Sequence, residues 1–229
     1  MSGFTRRGWL AVAGPASVVA GATGGLLAAH DPSNHPPRGF QNIPPRELIQ
    51  RRHLPNVELM TQDGKKVRFY DDLVKNKVVA INFMYAHCQG ICPTMTANLV
   101  RVQKLLHDRI GRDIFMYSIT LKPQEDTPQV LKEYAGMHGA GPGWLFLTGK
   151  PADIELLRRS LGFSSIDPDE DADKSTHIGM LRIGNEPMLR WSACPSQARA
   201  QWIATSILTE ADNPLKGGSR EGPTVTAGK

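Results

Sequence analysis

The stretch Val78-Val79-Ala80-Ile81-Asn82-Phe83-Met84-Tyr85-Ala86-His87-Cys88-Gln89-Gly90-Ile91-Cys92-Pro93 joins an apolar run to a pair of thiols. Residues 78–85 carry a single Asn among apolar side chains, the pattern of a strand buried on both faces. Pro93 suits the first position of a helix, where a missing N–H costs nothing. Cys88 and Cys92, two of the three cysteines, therefore lie where a strand ends and a helix begins. Helix amides and the macrodipole favour an anion there, so a thiol should ionise more easily than usual. Gly90 is expected to take a backbone conformation that other residues resist, letting both sulfurs reach one point.

Two chemistries use such a pair: binding of a soft metal ion, or electron exchange through a disulfide. A purely structural pair, buried or locked in a permanent disulfide, is the third reading. The three intervening residues depart from the two of the usual Cys-x-x-Cys redox motif, which points away from a thioredoxin-type exchanger. Zinc asks for four ligands. Cu(I) accepts two or three soft ligands, and an added imidazole extends the site to Cu(II). His87 and His177 are the candidates for that imidazole. His87 is the weaker, because continued strand alternation turns it away from Cys88. His177, taken alone, reads as a polar residue at a strand end. His53, His107 and His138 read as solvated or capping residues.

Outward from the thiols, short alternating runs at 57–60 and 66–70 flank Gln62-Asp63-Gly64 and read as a hairpin. After Cys92, Met95, Leu99, Val102, Leu106 and Ile110 recur at helical spacing. Residues 114–120 are the next strand. Thr127-Pro128 opens a second helix with Val130, Leu131, Tyr134 and Met137 on one side. A short strand at 144–147, a helix at 151–161, a hairpin of 178–183 and 188–191 around Gly184-Asn185, and a helix at 196–208 complete the series. This order predicts an α/β fold: a thioredoxin-like mixed central sheet flanked by helices, with an added N-terminal β-hairpin. Trp144, Phe146, Trp191 and Trp202 are expected in the core. Cys194, at a strand-to-helix joint, reads as a buried structural thiol.

The flanks differ in composition. Thr5-Arg6-Arg7-Gly8-Trp9-Leu10 precedes an Ala-, Gly- and Val-rich stretch, and a twin arginine in that setting resembles a Tat-type export signal. Residues 1–29 are thus a signal or, if uncut, a membrane anchor. Residues 30–53 are a Pro-rich tether, 54–208 a single domain with its own core, and 209–229 a flexible tail. The formal charge is +5, of which Arg6 and Arg7 supply two. The basic residues are scattered with little aromatic interleaving, which excludes nucleic acid as a partner. Export into an oxidising compartment makes reduction of the thiols a condition of their use and calls for a thiol reductant.

The segment from Phe83 to Pro93 resembles the metal-binding motif of the SCO/SenC family, a Cys-x-x-x-Cys-Pro after such a strand. Ser118-Ile119-Thr120-Leu121-Lys122-Pro123-Gln124-Glu125-Asp126-Thr127-Pro128 is similar to a second signature of that family, and 173–177 to a third. The resemblance covers 54–208. It implies a thioredoxin-fold protein of the periplasm, or of the outer face of the cytoplasmic membrane, that holds copper, Cu(I) or Cu(II), through Cys88, Cys92 and His177. It implies delivery of copper to an acceptor such as the CuA subunit of cytochrome oxidase, or reduction of that acceptor's oxidised cysteines, with Cys88 and Cys92 as the redox pair. Two positions depart from the pattern. Lys122 replaces an acidic residue, which changes the local charge, and Ile178 replaces a small hydroxyl residue.

Overall fold

A computed structural model describes residues 43–172 and 179–212. The N-terminal signal or anchor, most of the tether, the tail beyond Asp212, and His177 lie outside these residues. Among the described residues, no helix is long and apolar enough to cross a membrane.

Strand β3 (Val78–Met84) is an interior strand of the sheet, and all seven of its residues are buried. It pairs in parallel with β4 (Ile114–Thr120), Val78 opposite Ile114 and Met84 opposite Thr120. Next comes β5 (Trp144–Gly149), parallel to β4. The hairpin β1 (Glu58–Thr61) and β2 (Lys66–Arg68) extends that side, with β1 antiparallel to β5. On the other side lie β6 (Met180–Asn185) and β7 (Arg190–Pro195), both antiparallel to their neighbours. The seven-stranded order is β2-β1-β5-β4-β3-β6-β7. Asn82, the one polar residue of the central run, accepts a hydrogen bond from the Ser118 hydroxyl (2.8 Å), which in turn accepts from the Trp144 indole N–H (2.9 Å). Burial without loss is possible because each of these groups has a partner.

The helices on this sheet are α1 (Pro45–His53), α2 (Ile91–Leu106), α3 (Pro128–His138), α4 (Pro151–Ser160), α5 (Pro168–Ala172) and α6 (Ala200–Ala211). Helix α2 buries Cys92, Met95, Leu99, Val102 and Leu106 along one stripe and packs against α6. Thr127 caps α3 through its side chain, with Pro128 behind it, as the Thr-Pro pair predicts.

Several expectations are corrected. Helix α2 begins two residues before Pro93 and stops at Leu106; Ile110 follows a short 3-10 turn, where His107 has a positive φ. Gly184 and Asn185 belong to β6, and residues 186–189 make the turn. Gly184 is there because Trp191 lies across it: a Cβ would come within 2.3 Å of the indole. Trp191 is only half-buried. Met137 is 79% and Trp202 51% exposed, because each points off the buried stripe of its helix. The last helix starts four residues later than expected, which leaves Cys194 inside β7.

The end of the expected tether is also structured. Helix α1 buries none of its own residues. Arg46 nevertheless reaches Glu186, a carboxylate 1% exposed, at 3.1 Å. Glu186 accepts further bonds from the Tyr70 hydroxyl (3.0 Å) and the Asn76 amide (2.8 Å).

Candidate metal centre

The two thiols are held by the loop that leaves β3. Cys88 is 6% exposed and Cys92 is fully buried, and both are thiols, as is Cys194. The side chains of Cys88 and Cys92 hydrogen-bond to one another. Gly90 caps α2 with φ −102° and ψ −120°. Its contribution is its amide, which donates to the Cys88 sulfur at 3.4 Å. Cys92 sits in the first turn of α2, among the amides that have no helical acceptor.

The protons of the pair are unequal. Burial opposes ionisation of Cys88, yet donors from Cys92, the Tyr85 side chain and the Gly90 amide outweigh it and hold the thiol below its ordinary range. Burial, with the neighbouring Cys88 sulfur, pushes Cys92 up to about 12. The pair therefore ionises first at Cys88.

The loop from β4 to α3 anchors the backbone that leads to these thiols. Leu121 N–H donates to Met84 C=O at 2.8 Å. Asp126, 1% exposed, accepts the Ala86 N–H on both carboxylate oxygens (3.1 and 3.3 Å) and the Thr120 hydroxyl. Burial pushes the Asp126 carboxyl up, and these hydrogen bonds offset only part of that. Asp126 is a positioning residue that the motif contains but periodicity does not single out; its sign is an acid between a strand and a Thr-Pro cap.

His87 is exposed on the loop, and His53 and His107 are exposed at helix ends. His138 packs against Tyr134 with ring centroids 4.3 Å apart and the rings tilted by 43°. Among the described residues, no third His, Cys, Asp or Glu joins the pair in a metal-binding group. Gly179, the first described residue after the segment that contains His177, touches the start of α2. A Cβ on it would lie 2.5 Å from Ile91 Cδ1, beside Cys92. Its carbonyl is fixed by the Ser196 amide (2.8 Å) and hydroxyl (2.9 Å).

The SCO1/SenC family model matches residues 49–185, more than half of the chain. The chain belongs to the SCO1/SenC family. A Stutzerimonas stutzeri protein named for copper binding is 30% identical over 146 residues, 62% of this chain and 70% of that protein. The SCO1 protein homolog of Bacillus subtilis is 35% identical over 89 residues, 38% of this chain and 45% of its own length. Among solved SCO1/SenC structures, a family lipoprotein from Bacillus anthracis aligns with a TM-score of 0.57 at 24% identity, covering 68% of this chain and 93% of that one. Bradyrhizobium japonicum ScoI with copper bound aligns with a TM-score of 0.54 at 24% identity, covering 67% and 96%. The fold is the thioredoxin-like Sco fold, as its strand order predicts.

Proposed function

We propose that this chain is an extracytoplasmic copper-binding protein that delivers copper to a metalloenzyme such as the CuA site of cytochrome oxidase. The observation that carries the proposal is the pair Cys88 and Cys92, two thiols hydrogen-bonded to each other at the start of a helix. Two sulfurs in a dry pocket suit a soft cation better than any hard one. The copper named for the Stutzerimonas and Bradyrhizobium relatives is consistent with that donor set. The Bacillus anthracis lipoprotein and the twin-arginine N-terminus both support a place outside the cytoplasm at a membrane.

Cys88 and Cys92 would hold Cu(I) as thiolates, each giving up its proton on binding. His177 would supply the nitrogen that admits Cu(II). Gly179 supports its reach, since the chain two residues on is pinned against Ile91, next to Cys92. Transfer would then be exchange of these ligands for those of the acceptor. Copper titration of the reduced protein tests the reading. Cys88→Ser or Cys92→Ser should abolish tight Cu(I) binding, and His177→Ala should mainly weaken Cu(II). Unchanged copper binding by either cysteine variant overturns it.

The unequal protons of the pair favour a second reading, reduction of an acceptor's disulfide. The Cys88 thiolate attacks one acceptor sulfur, forming a mixed disulfide and releasing the other as a thiolate. Cys92 then loses its proton and attacks the Cys88 sulfur. The acceptor leaves as a dithiol and the pair is oxidised, to be restored by a thiol reductant. Activity retained by His177→Ala after loss of Cu(II) binding separates this reading from copper delivery.

A further inference from the structure

The residue between the two anchored points of the loop is Tyr85. Met84 C=O and Ala86 N–H, on either side of it, are both bonded to the loop from β4 to α3, through Leu121 N–H and the Asp126 carboxylate. Tyr85 is buried, and its side chain hydrogen-bonds to Cys88. The same loop places the Lys122 ammonium over the Tyr85 ring, 4.7 Å from its centroid. The backbone of Lys122 is fixed as well: its N–H donates to the Thr120 hydroxyl (2.9 Å), and its C=O accepts from the Asp126 amide (2.9 Å). Its side chain is 37% exposed, and its nearest acid, Glu125, is 3.5 Å away and mostly solvated.

We infer that Lys122 is a positioning residue of the copper site, acting on Cys88 through Tyr85. A cation on the face of an aromatic ring is attracted by the ring quadrupole and holds the ring in place. It also draws electron density from the phenol, which makes the hydroxyl a stronger donor. The acceptor of that hydrogen bond is the Cys88 sulfur, and two thiolates around one Cu(I) carry a net negative charge. Lys122 therefore stabilises the loaded site without touching the metal. Glu125, Asp126 and the exposed His87 are the other titratable groups at this loop.

The inference rests on copper binding at Cys88 and Cys92, and its test separates the two claims. Cu(I) affinity is measured by competition with a colorimetric Cu(I) chelator on the reduced full chain, for wild type, Lys122→Gln, Lys122→Arg, Tyr85→Phe and the Lys122→Gln/Tyr85→Phe double variant. Lys122→Gln should weaken binding about three- to tenfold, as expected for a partly desolvated cation–aromatic contact. Lys122→Arg should restore it, because a guanidinium also stacks on an aromatic face. The double variant should bind no more weakly than Tyr85→Phe alone. The second readout needs no metal: the rate of Cys88 alkylation by iodoacetamide should fall in Lys122→Gln and recover in Lys122→Arg. Equal affinity and equal alkylation rate for Lys122→Gln and wild type overturn the inference. So does a Lys122→Gln effect that persists in full on the Tyr85→Phe background. If wild type binds no Cu(I), the copper reading fails, and the alkylation series still decides whether Lys122 acts on Cys88.

Discussion

Cys92 and Cys194 are almost equally hidden, 0% and 2% exposed, yet their surroundings give them different chemistry. Cys194 lies in β7 opposite Leu181, where burial alone pushes its thiol up to about 11. Cys92 is pushed up too, but it shares a pocket with Cys88, whose sulfur collects several donors. Burial makes a thiol inert; a second sulfur and a set of oriented N–H and O–H groups make one usable. The two sites are separated by what points at the sulfur rather than by depth.

Breaking the contrast is most direct with serine. Cys88→Ser or Cys92→Ser should lower Cu(I) affinity beyond the roughly 100-fold that supporting residues of a metal site can cost. Cys194→Ser should leave it unchanged in the same chelator competition. A comparable loss at Cys194 would erase the distinction.

Alkylation kinetics sharpen it next. With iodoacetamide at neutral pH, followed by mass spectrometry, Cys88 should label first. Donors hold its thiol below the ordinary value, while burial pushes that of Cys194 up to about 11, so Cys88 carries the larger thiolate fraction. Cys194 should label only as the protein unfolds.

The thiols and the fold were readable in the sequence, and their supporting contacts much less so. The run 78–84 and the stripe of α2 reflect burial, which repeats along a chain and leaves a period. Asp126 bonding to Ala86, or Lys122 lying over Tyr85, joins residues some forty apart through a loop, and no local pattern encodes that. The Gly90 amide that the Cys88 sulfur uses is equally invisible to a local pattern. Trp202 and Met137 misled because an apolar residue is not obliged to be buried.

Asp126 supplies smaller effects that belong to the pair's side of the contrast. Asp126→Ala leaves the half-buried Ala86 amide and the buried Thr120 hydroxyl without their acceptor, and should cost about 2 kcal/mol in urea denaturation. It should also narrow the gap between Cys88 and Cys194 labelling. The pH dependence has a definite sign. The carboxyl is raised on folding, so its contribution to stability is complete below the unfolded carboxylate value and is lost as pH rises through the folded value. Wild type should therefore lose stability relative to Asp126→Asn between acid and neutral pH, read from denaturation midpoints at each pH. An unchanged difference would show that the carboxyl is not raised.

The Glu186 carboxylate has a practical bearing on how this protein is trimmed for the bench. A fragment cut at residue 54 keeps every strand and both thiols, but removes the guanidinium that faces a charge hidden from water. Cutting after residue 208 removes the Glu210 carbonyl that accepts from the Asn185 side chain, and Asp212, which pairs with Arg109. Shortened forms that respect the 54–208 bounds alone would start and stop inside the folded unit. Boundaries at or outside residues 45 and 212 preserve it.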